Sequence, residues 1–450
     1  MSQAASPLAP EQPRQLALLA LQSVYRGAYA DVAVHQTLRR GTLSDKNRGL
    51  FTELVYGCVR RRRTLEALIQ QFVKKPPPPP LQPLLQLGLY QLRYLNHIPP
   101  SAAVHTTVEL AKQNGLGGLA GLVNGVLRRY LRASETTDAL QLPSDPIQRI
   151  GTLHSFPDWI VQVWVEQFGE AEADALCQWM NQPPTIDLRV NPLTASVTEM
   201  QAEMAAAGVA VEVLEAASQA LRLTPHVGAI DRLPGFAEGK WMVQDASAQL
   251  VGQLMAPQPG DLVIDGCAAP GGKATHLAEL MGDRGTVWAC DRNAKRLRKV
   301  EENAQRLQLQ SIRTLATDSR QLAQFVGQAD RVLLDVPCSG LGTLHRHADA
   351  RWRQTPASIE ELSALQSELL AQGATWVKPG GRLVYATCTL HPRENEAIIQ
   401  PFLKNQPDWC IEKPDAAWAF PFLNPAGWLQ VLPHHHQMDG FFMVCLRHQG

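Results

Sequence analysis

Long hydrophobic runs are missing from this chain. No stretch of roughly 18 uninterrupted apolar residues occurs in its 450 residues, which excludes an ordinary membrane-spanning helix. The apolar run Leu16 to Leu21 is too short for a span and has no basic flank, so a soluble, unexported, cytoplasmic protein with no membrane partner is expected. Cys-x-x-Cys spacing is also missing. The eight cysteines, Cys58, Cys177, Cys267, Cys290, Cys338, Cys388, Cys410 and Cys445, are scattered along the chain. Neither a zinc site nor a disulfide framework is indicated, and any thiol that matters should act as a nucleophile or a small buried apolar group. An excess of one sign of charge is absent too, with 42 Lys+Arg against 42 Asp+Glu.

That balance conceals an asymmetry. Residues 1–140 hold 17 Lys+Arg and 8 Asp+Glu, a charge of +9, and the remainder carries −9. A basic third on an otherwise acidic protein suggests a polyanion partner, because Lys and Arg release counterions from phosphates. Arg60 to Arg63 form the densest cluster, for which a solvated helix face is the plain alternative. With 45% hydrophobic and 19% charged residues the chain has ample material for cores, and its length divided by roughly 150 residues per domain suggests about three units.

From Leu16 to Leu131 apolar residues recur at three- and four-residue spacing, as in Leu50, Leu54, Val55 and Cys58, which predicts an all-α unit over 1–140. Pro76 to Pro80 cannot continue a helix and are expected to be an extended spacer between two helical blocks. The polar stretch Asp138 to Pro146 marks a linker. Residues 141–238 then read as a small α/β unit, with strands Ile186 to Val190, Val209 to Leu214 and Leu221 to Thr224 and a helix Val197 to Ala207. Its thin core should pack against its neighbour. Over 239–450, strands and helices alternate as in a parallel doubly wound sheet, with strand ends at Asp265, Asp291, Asp318, Asp335 and near Thr387. In such sheets ligands bind outside the carboxyl ends of the strands.

The first of these strands enters Gly266-Cys267-Ala268-Ala269-Pro270-Gly271-Gly272-Lys273 before a helix opens. Small residues admit a ligand to the backbone, and the helix start offers free N–H groups. The loop matches neither the dinucleotide G-x-G-x-x-G nor the phosphate-binding G-x-x-x-x-G-K-[ST], so both of those readings lose ground. Asp291 could accept hydrogen bonds from a ribose diol, and Asp318 could reach an adenine edge. Each alone could equally be a turn or cap residue. The fourth strand ends in Asp335-Val336-Pro337-Cys338-Ser339-Gly340 and the fifth in Ala386-Thr387-Cys388-Thr389, which sets two cysteines at one sheet edge. Thiols bordered by small or hydroxyl residues beside a cofactor crevice suit alkylation of a pyrimidine at C5. That atom becomes nucleophilic only after a thiolate adds at C6, with a carboxyl near N3, protonated or sharing a proton with the base, to stabilise the charge.

On these motifs, together with Asp439-Gly440-Phe441-Phe442, the sequence resembles the RsmB/Sun family of RNA cytosine-C5 methyltransferases over nearly its whole length. The resemblance implies S-adenosyl-L-methionine as cofactor and Cys388 as the nucleophile, with Cys338 aiding product release. It implies cofactor contacts from Cys267, Ala268, Ala269, Pro270, Gly271, Gly272, Lys273, Asp291, Asp318 and Asp335, with Asp335 also facing the target base. Thr389 departs from the Ser usual in the family but keeps the hydroxyl. Leu54-Val55-Tyr56-Gly57-Cys58-Val59-Arg60, Leu87-Gly88-Leu89-Tyr90-Gln91-Leu92 and Leu122-Val123-Asn124-Gly125-Val126-Leu127-Arg128 resemble NusB-like RNA-binding domains. Leu188-Arg189-Val190-Asn191-Pro192 resembles the family's small RNA-recognition-like domain, and 239–450 a Rossmann-like class I methyltransferase domain.

The implied activity is methylation of one cytosine of naked or early-assembly 16S rRNA, conventionally position 967, by a monomer that needs no metal. The competing readings are a non-catalytic RNA-binding assembly factor and a tRNA cytosine-C5 methyltransferase. His434 to His436 are read as a solvated loop, because three adjacent histidines do not converge on one ion. Asn181-Gln182-Pro183-Pro184 is read as a domain connector.

Overall fold

The computed structural model describes residues 13–39, 43–224 and 228–450. Two compact units emerge: one runs to Gln182 and takes in Leu344–Arg353, and the other comprises Pro183–Thr343 and Gln354–Gly450. No helix among the described residues is long and apolar enough to cross a membrane.

Among the described residues, every element of the first unit is helical. Helix Arg62–Phe72 buries Leu65, Leu68 and Ile69 on one face, spacing that follows from the α-helical turn. Each such side chain contributes roughly 1.5–3 kcal/mol by leaving water. Pro76 to Pro80 interrupt the pattern as expected, with helix Gln82–Tyr94 resuming after a short 3-10 turn at Pro79–Leu81. Glycine is required where helices meet. A Cβ on Gly57 of helix Asp45–Arg60 would lie 2.0 Å from the Tyr90 ring, so the glycine permits the crossing. The arginine run is not a solvated face. Arg60 is buried and donates to the carbonyl of His345 at 3.1 Å, and Arg63 donates to the carbonyl of Phe156 at 2.6 Å. Arg61 lies 4.9 Å over the Tyr94 ring, and Arg62 pairs with Glu66 at 2.9 Å.

The segment Leu344–Arg353 joins this unit although its chain neighbours do not. Trp352 Nε1 donates to the carbonyl of Val59 at 2.8 Å, and the Asp349 carboxylate accepts from the Ala30 N–H at 3.1 Å. At its centre is the fully buried Arg351.

The second unit contains two sheets. In the smaller, β1 (Ile186–Val190), β2 (Val211–Val213), β3 (Ala220–Leu223) and β4 (Trp241–Val243) lie in the order β2-β3-β1-β4, all antiparallel. The three-residue β4 was too short to carry a period-two signal in sequence. Helix Val197–Ala206 starts with a capping box between Ser196 and Glu199. As expected for so thin a core, the sheet is riveted to its neighbour: β1 sends Arg189 to Glu279 at 2.7 Å and Asn191 to the carbonyl of Leu307 at 3.3 Å.

The larger sheet contains β5 (Leu262–Asp265), β6 (Thr286–Asp291), β7 (Ile312–Ala316), β8 (Ala329–Asp335), β9 (Val377–Thr387), β10 (Trp409–Ile411), β11 (Leu429–Val431) and β12 (Phe441–His448). Its order is β10-β12-β9-β8-β5-β6-β7, with β11 on β12. β7, β6, β5, β8 and β9 are parallel, as the alternation predicts, while β12 runs antiparallel to β9. Val263 and Leu333 fill one face, Ile264 and Leu334 the other, so these strands are apolar on both sides. β7 ends at Ala316, so Asp318 is not a strand-end residue: it caps the 3-10 turn Ser319–Gln321 by accepting from the Arg320 N–H. The histidines expected in a loop instead form a short helix, Pro433–His436. His436 is held there against the Phe422 ring at 4.8 Å and accepts from the Leu432 N–H at 2.9 Å.

Candidate active site

The chain leaves β5 toward β6 and returns from β7 to β8, so the strand order switches between β5 and β8. A crevice is expected outside the carboxyl ends of those two strands. It is there: a cavity of about 300 Å³ lined by residues from five strand ends and from helix Pro356–Trp376.

The loop after β5 contributes Gly266, Cys267 and Ala269. It turns tightly because Gly271 adopts φ +106°, where a Cβ would also press on Val300 at 3.0 Å. Of the predicted loop residues, Ala268, Pro270, Gly271, Gly272 and Lys273 are not in the cavity wall. Ala268 is buried with its N–H on the carbonyl of Cys290, and Pro270 faces outward. Asp265 is buried beneath the loop, one oxygen accepting from the Cys267 N–H at 3.3 Å. Burial, then the charge of Asp335, push its pKa up to about 7.

Asp291 ends β6 in the cavity wall and accepts from the Asn293 N–H at 2.8 Å. Asp318 also lines the cavity, but its carboxylate is gripped by Arg320 at 3.0 and 2.7 Å, which lowers its pKa. Asp335, at the end of β8, receives the Lys273 ammonium at 2.7 Å. Lys273 is therefore an internal cation paired with Asp335. Burial opposes its charge, but Asp335 prevails and the pKa rises.

Past Asp335 the backbone brings Cys338 to the cavity, and past β9 it brings Cys388. Their sulfurs are 3.4 Å apart, 50 residues distant in sequence. The hydrogen bond with Cys388, then burial, raise the Cys338 pKa well above the ordinary thiol value. Of the other cysteines, Cys267 lines the same cavity, and Cys58, Cys177, Cys290 and Cys445 are buried small side chains.

The structure thus gathers Cys267, Ala269, Asp291, Asp318, Asp335, Cys338 and Cys388 around one cavity. Sequence reasoning missed Arg292, Arg296 and Arg320, whose only signal was lying shortly after Asp291 or Asp318, and Leu365 and Leu369, whose helical spacing reads as core. It also missed Glu394 and Asn395, buried behind the two cysteine loops. The arrangement can present two thiols and a carboxylate backed by an ammonium to one planar ring, beside carboxylates able to hold a ribose.

Residues 252–447 match a family described as 16S rRNA methyltransferase RsmB/F. Residues 11–132 match the NusB family, and residues 156–229 a ferredoxin-like domain of RsmF/B-like methyltransferases. A probable ribosomal RNA small subunit methyltransferase B of Synechocystis is 50% identical over 96% of this chain and 99% of its own. A probable ribosomal RNA small subunit methyltransferase B of Bacillus subtilis is 37% identical over 97% and 99%. Among solved structures, PH0851 superposes with a TM-score of 0.79 at 26% identity, covering 98% of this chain and 100% of that one. A methyltransferase homolog from Pyrococcus horikoshii gives 0.60 at 30% identity over 68% and 99%. The chain belongs to the 16S rRNA methyltransferase RsmB/F family.

Proposed function

We propose that this methyltransferase uses S-adenosyl-L-methionine to methylate C5 of one cytosine of 16S rRNA, conventionally position 967, through a covalent bond between Cys388 and C6. The observation that carries this reading is the pair of sulfurs 3.4 Å apart in the wall of the cavity that Asp291 and Asp335 also line.

The donor set fits the cofactor. Asp291 is placed to accept a ribose diol, Leu365 and Leu369 offer an apolar surface to adenine, and Asp318 can accept its amino group. Gly266, Cys267 and Ala269 form the small-residue edge against which the amino-acid end would lie. When bound, the cofactor supplies an electrophilic methyl group. Cys388 Sγ adds to C6, and the C5=C6 electrons move to C5, which becomes the nucleophile. Asp335 meets the base on its N3 side, where a proton shared between its carboxyl and N3 offsets the charge that develops there, and Lys273 holds that carboxyl in place. After C5 has gained its methyl group, loss of the C5 proton restores the double bond and expels Cys388. Cys338 stands close enough to assist that expulsion.

The target base must be extruded, because a stacked base hides C6. In this reading 1–140 bind the RNA, 141–238 form the small middle domain and 239–450 carry the chemistry. The exposed Arg128, Arg129 and Arg132 of helix Ala120–Ala133 supply part of the +9 charge of the first third.

Incubation with naked 16S rRNA and methyl-labelled cofactor should place label in 5-methylcytosine; a folded protein that leaves none overturns the reading. Cys388→Ala should lower the rate by about 1,000-fold or more. A scaffold role would survive that change, and a tRNA substrate would carry the label instead. Cys338→Ala should leave an RNA adduct that persists on denaturing gels. If Cys388→Ala traps RNA, the two roles are exchanged.

A further inference from the structure

We propose that Glu394, with Asn395 beside it, is the positioning residue that sets the two active-site thiols against each other and keeps Cys338 from competing as nucleophile. The inference rests on the thiol roles given above and extends them to residues outside the cavity wall.

Glu394 lies in the short turn Pro392–Glu394 and is 0% exposed. One carboxylate oxygen accepts from the Ser339 N–H at 2.8 Å and from Gln366 Nε2 at 3.0 Å. The other accepts from the Ser339 hydroxyl and from the Thr389 hydroxyl at 3.2 Å. Ser339 follows Cys338 in the chain, and Thr389 follows Cys388. Their hydroxyls also meet directly at 2.8 Å.

The other flank of each cysteine is tied to the same cluster. Gln366 Nε2 donates to the carbonyl of Pro337 at 2.9 Å, on the far side of Cys338. Asn395 Oδ1 accepts from the Thr387 hydroxyl at 2.6 Å, and its Nδ2 donates to the carbonyl of Thr389 at 3.0 Å, so Asn395 brackets Cys388. The Tyr385 hydroxyl, donating to the Glu394 carbonyl at 2.7 Å, anchors the turn to β9. With all four flanking residues held, little freedom remains to either thiol beyond its own side-chain rotation. Such preorganisation is what a reaction between oriented groups requires.

The cluster also sorts the thiols electrostatically. The hydrogen bond with the Cys388 thiol, then burial, disfavour the Cys338 thiolate, and the charges of Glu394 and Asp335 add to this. A thiol held protonated at Cys338 leaves attack at C6 to Cys388.

Glu394→Gln keeps the shape of the side chain and removes its charge. In the full-length protein it should lower kcat by about 100-fold, with KM for RNA and cofactor affinity within about twofold of wild type. Alkylation of Cys338 by iodoacetamide, followed by peptide mass spectrometry at one fixed alkaline pH, should quicken by about threefold. If kcat and the Cys338 alkylation rate are both unchanged while Cys388→Ala is inactive, the clamp is refuted and the catalytic reading stands. If Cys388→Ala still methylates, the catalytic reading is what has failed. Should Glu394→Gln not fold, Ser339→Ala removes one donor and leaves the charge. It should lower kcat by about tenfold at unchanged KM, and an unchanged kcat counts against the clamp.

Discussion

Arg189 and Arg351 are both 0% exposed, one in each unit, and their surroundings differ in kind. Arg189 meets a carboxylate: Glu279, equally buried, accepts from it at 2.8 and 2.7 Å, and Thr275, Gln244 and the Gly272 carbonyl also accept from it. Among its described partners Arg351 meets only neutral groups, namely Asn181, backbone carbonyls and the face of Phe156 at 4.0 Å. A guanidinium paired with a charge makes its partner depend on it, whereas one solvated by dipoles leaves only neutral groups behind when removed. Burial of charge alone is thus no sign of chemistry. What separates these arginines from the Lys273–Asp335 pair is that Asp335 opens on a cavity.

The largest effect expected from this contrast is on Arg189→Met, which strands Glu279 without a cation. It should cost about 3–5 kcal/mol of stability in urea unfolding. The double variant Arg189→Met/Glu279→Gln should recover more than half of that loss, because the stranded charge is gone. The Gly272 carbonyl also loses one of its two side-chain donors, at the end of the loop proposed to hold cofactor, so cofactor affinity should fall in the same variant.

Asp265 extends the comparison to a buried carboxylate under a loop. Its folded pKa of about 7 lies above the ordinary carboxyl value, so the folded state binds the proton more tightly than the unfolded state does. Stability from this group is therefore greatest at low pH and falls as pH rises toward and through 7. Between about pH 5 and pH 8 the loss should be about 2–3 kcal/mol. Asp265→Asn should flatten that slope, measured as the difference in urea midpoints at the two pH values. An unchanged slope would mean that Asp265 ionises normally despite its burial.

The contrast also marks what could be read from sequence. The Cys267–Lys273 loop, the Asp335–Gly340 turn and the Thr387–Cys388 strand end were legible because each is a local pattern, an apolar strand ending in polar or small residues at a predictable sheet edge. Pairings that join distant residues were not. Arg189 reads as an alternating strand position, and nothing near it announces Glu279, 90 residues on. Arg60 looks solvated in an arginine run yet is buried, because a carbonyl 285 residues away receives it. The segment Leu344–Arg353 carries three arginines and two histidines and reads as a polar excursion from the sheet; its place with the helices depends on contacts that no periodicity encodes. Asp318 was misplaced by two residues because a cap and a strand end share the same preference for aspartate.

The smallest expected effect is at Arg351, and it tests the contrast most sharply. Burial, then the charges of Arg60 and Arg61, push the Arg351 pKa well below the ordinary value, so its charge is tolerated and not rewarded. Arg351→Met removes a charge that no described carboxylate neutralises, but it leaves the carbonyls of Ser155, Met180 and Leu344 short of a donor. These terms oppose each other, and the net cost should be about 1–2 kcal/mol, less than half that of Arg189→Met. Arg351→Lys keeps the charge, concentrates it in a more strongly hydrated ammonium and reduces five donors to three, so it should cost more than Arg351→Met. Urea midpoints of the two variants decide the matter: if Lys is tolerated better than Met, the positive charge itself stabilises this junction, and the distinction between the two arginines collapses.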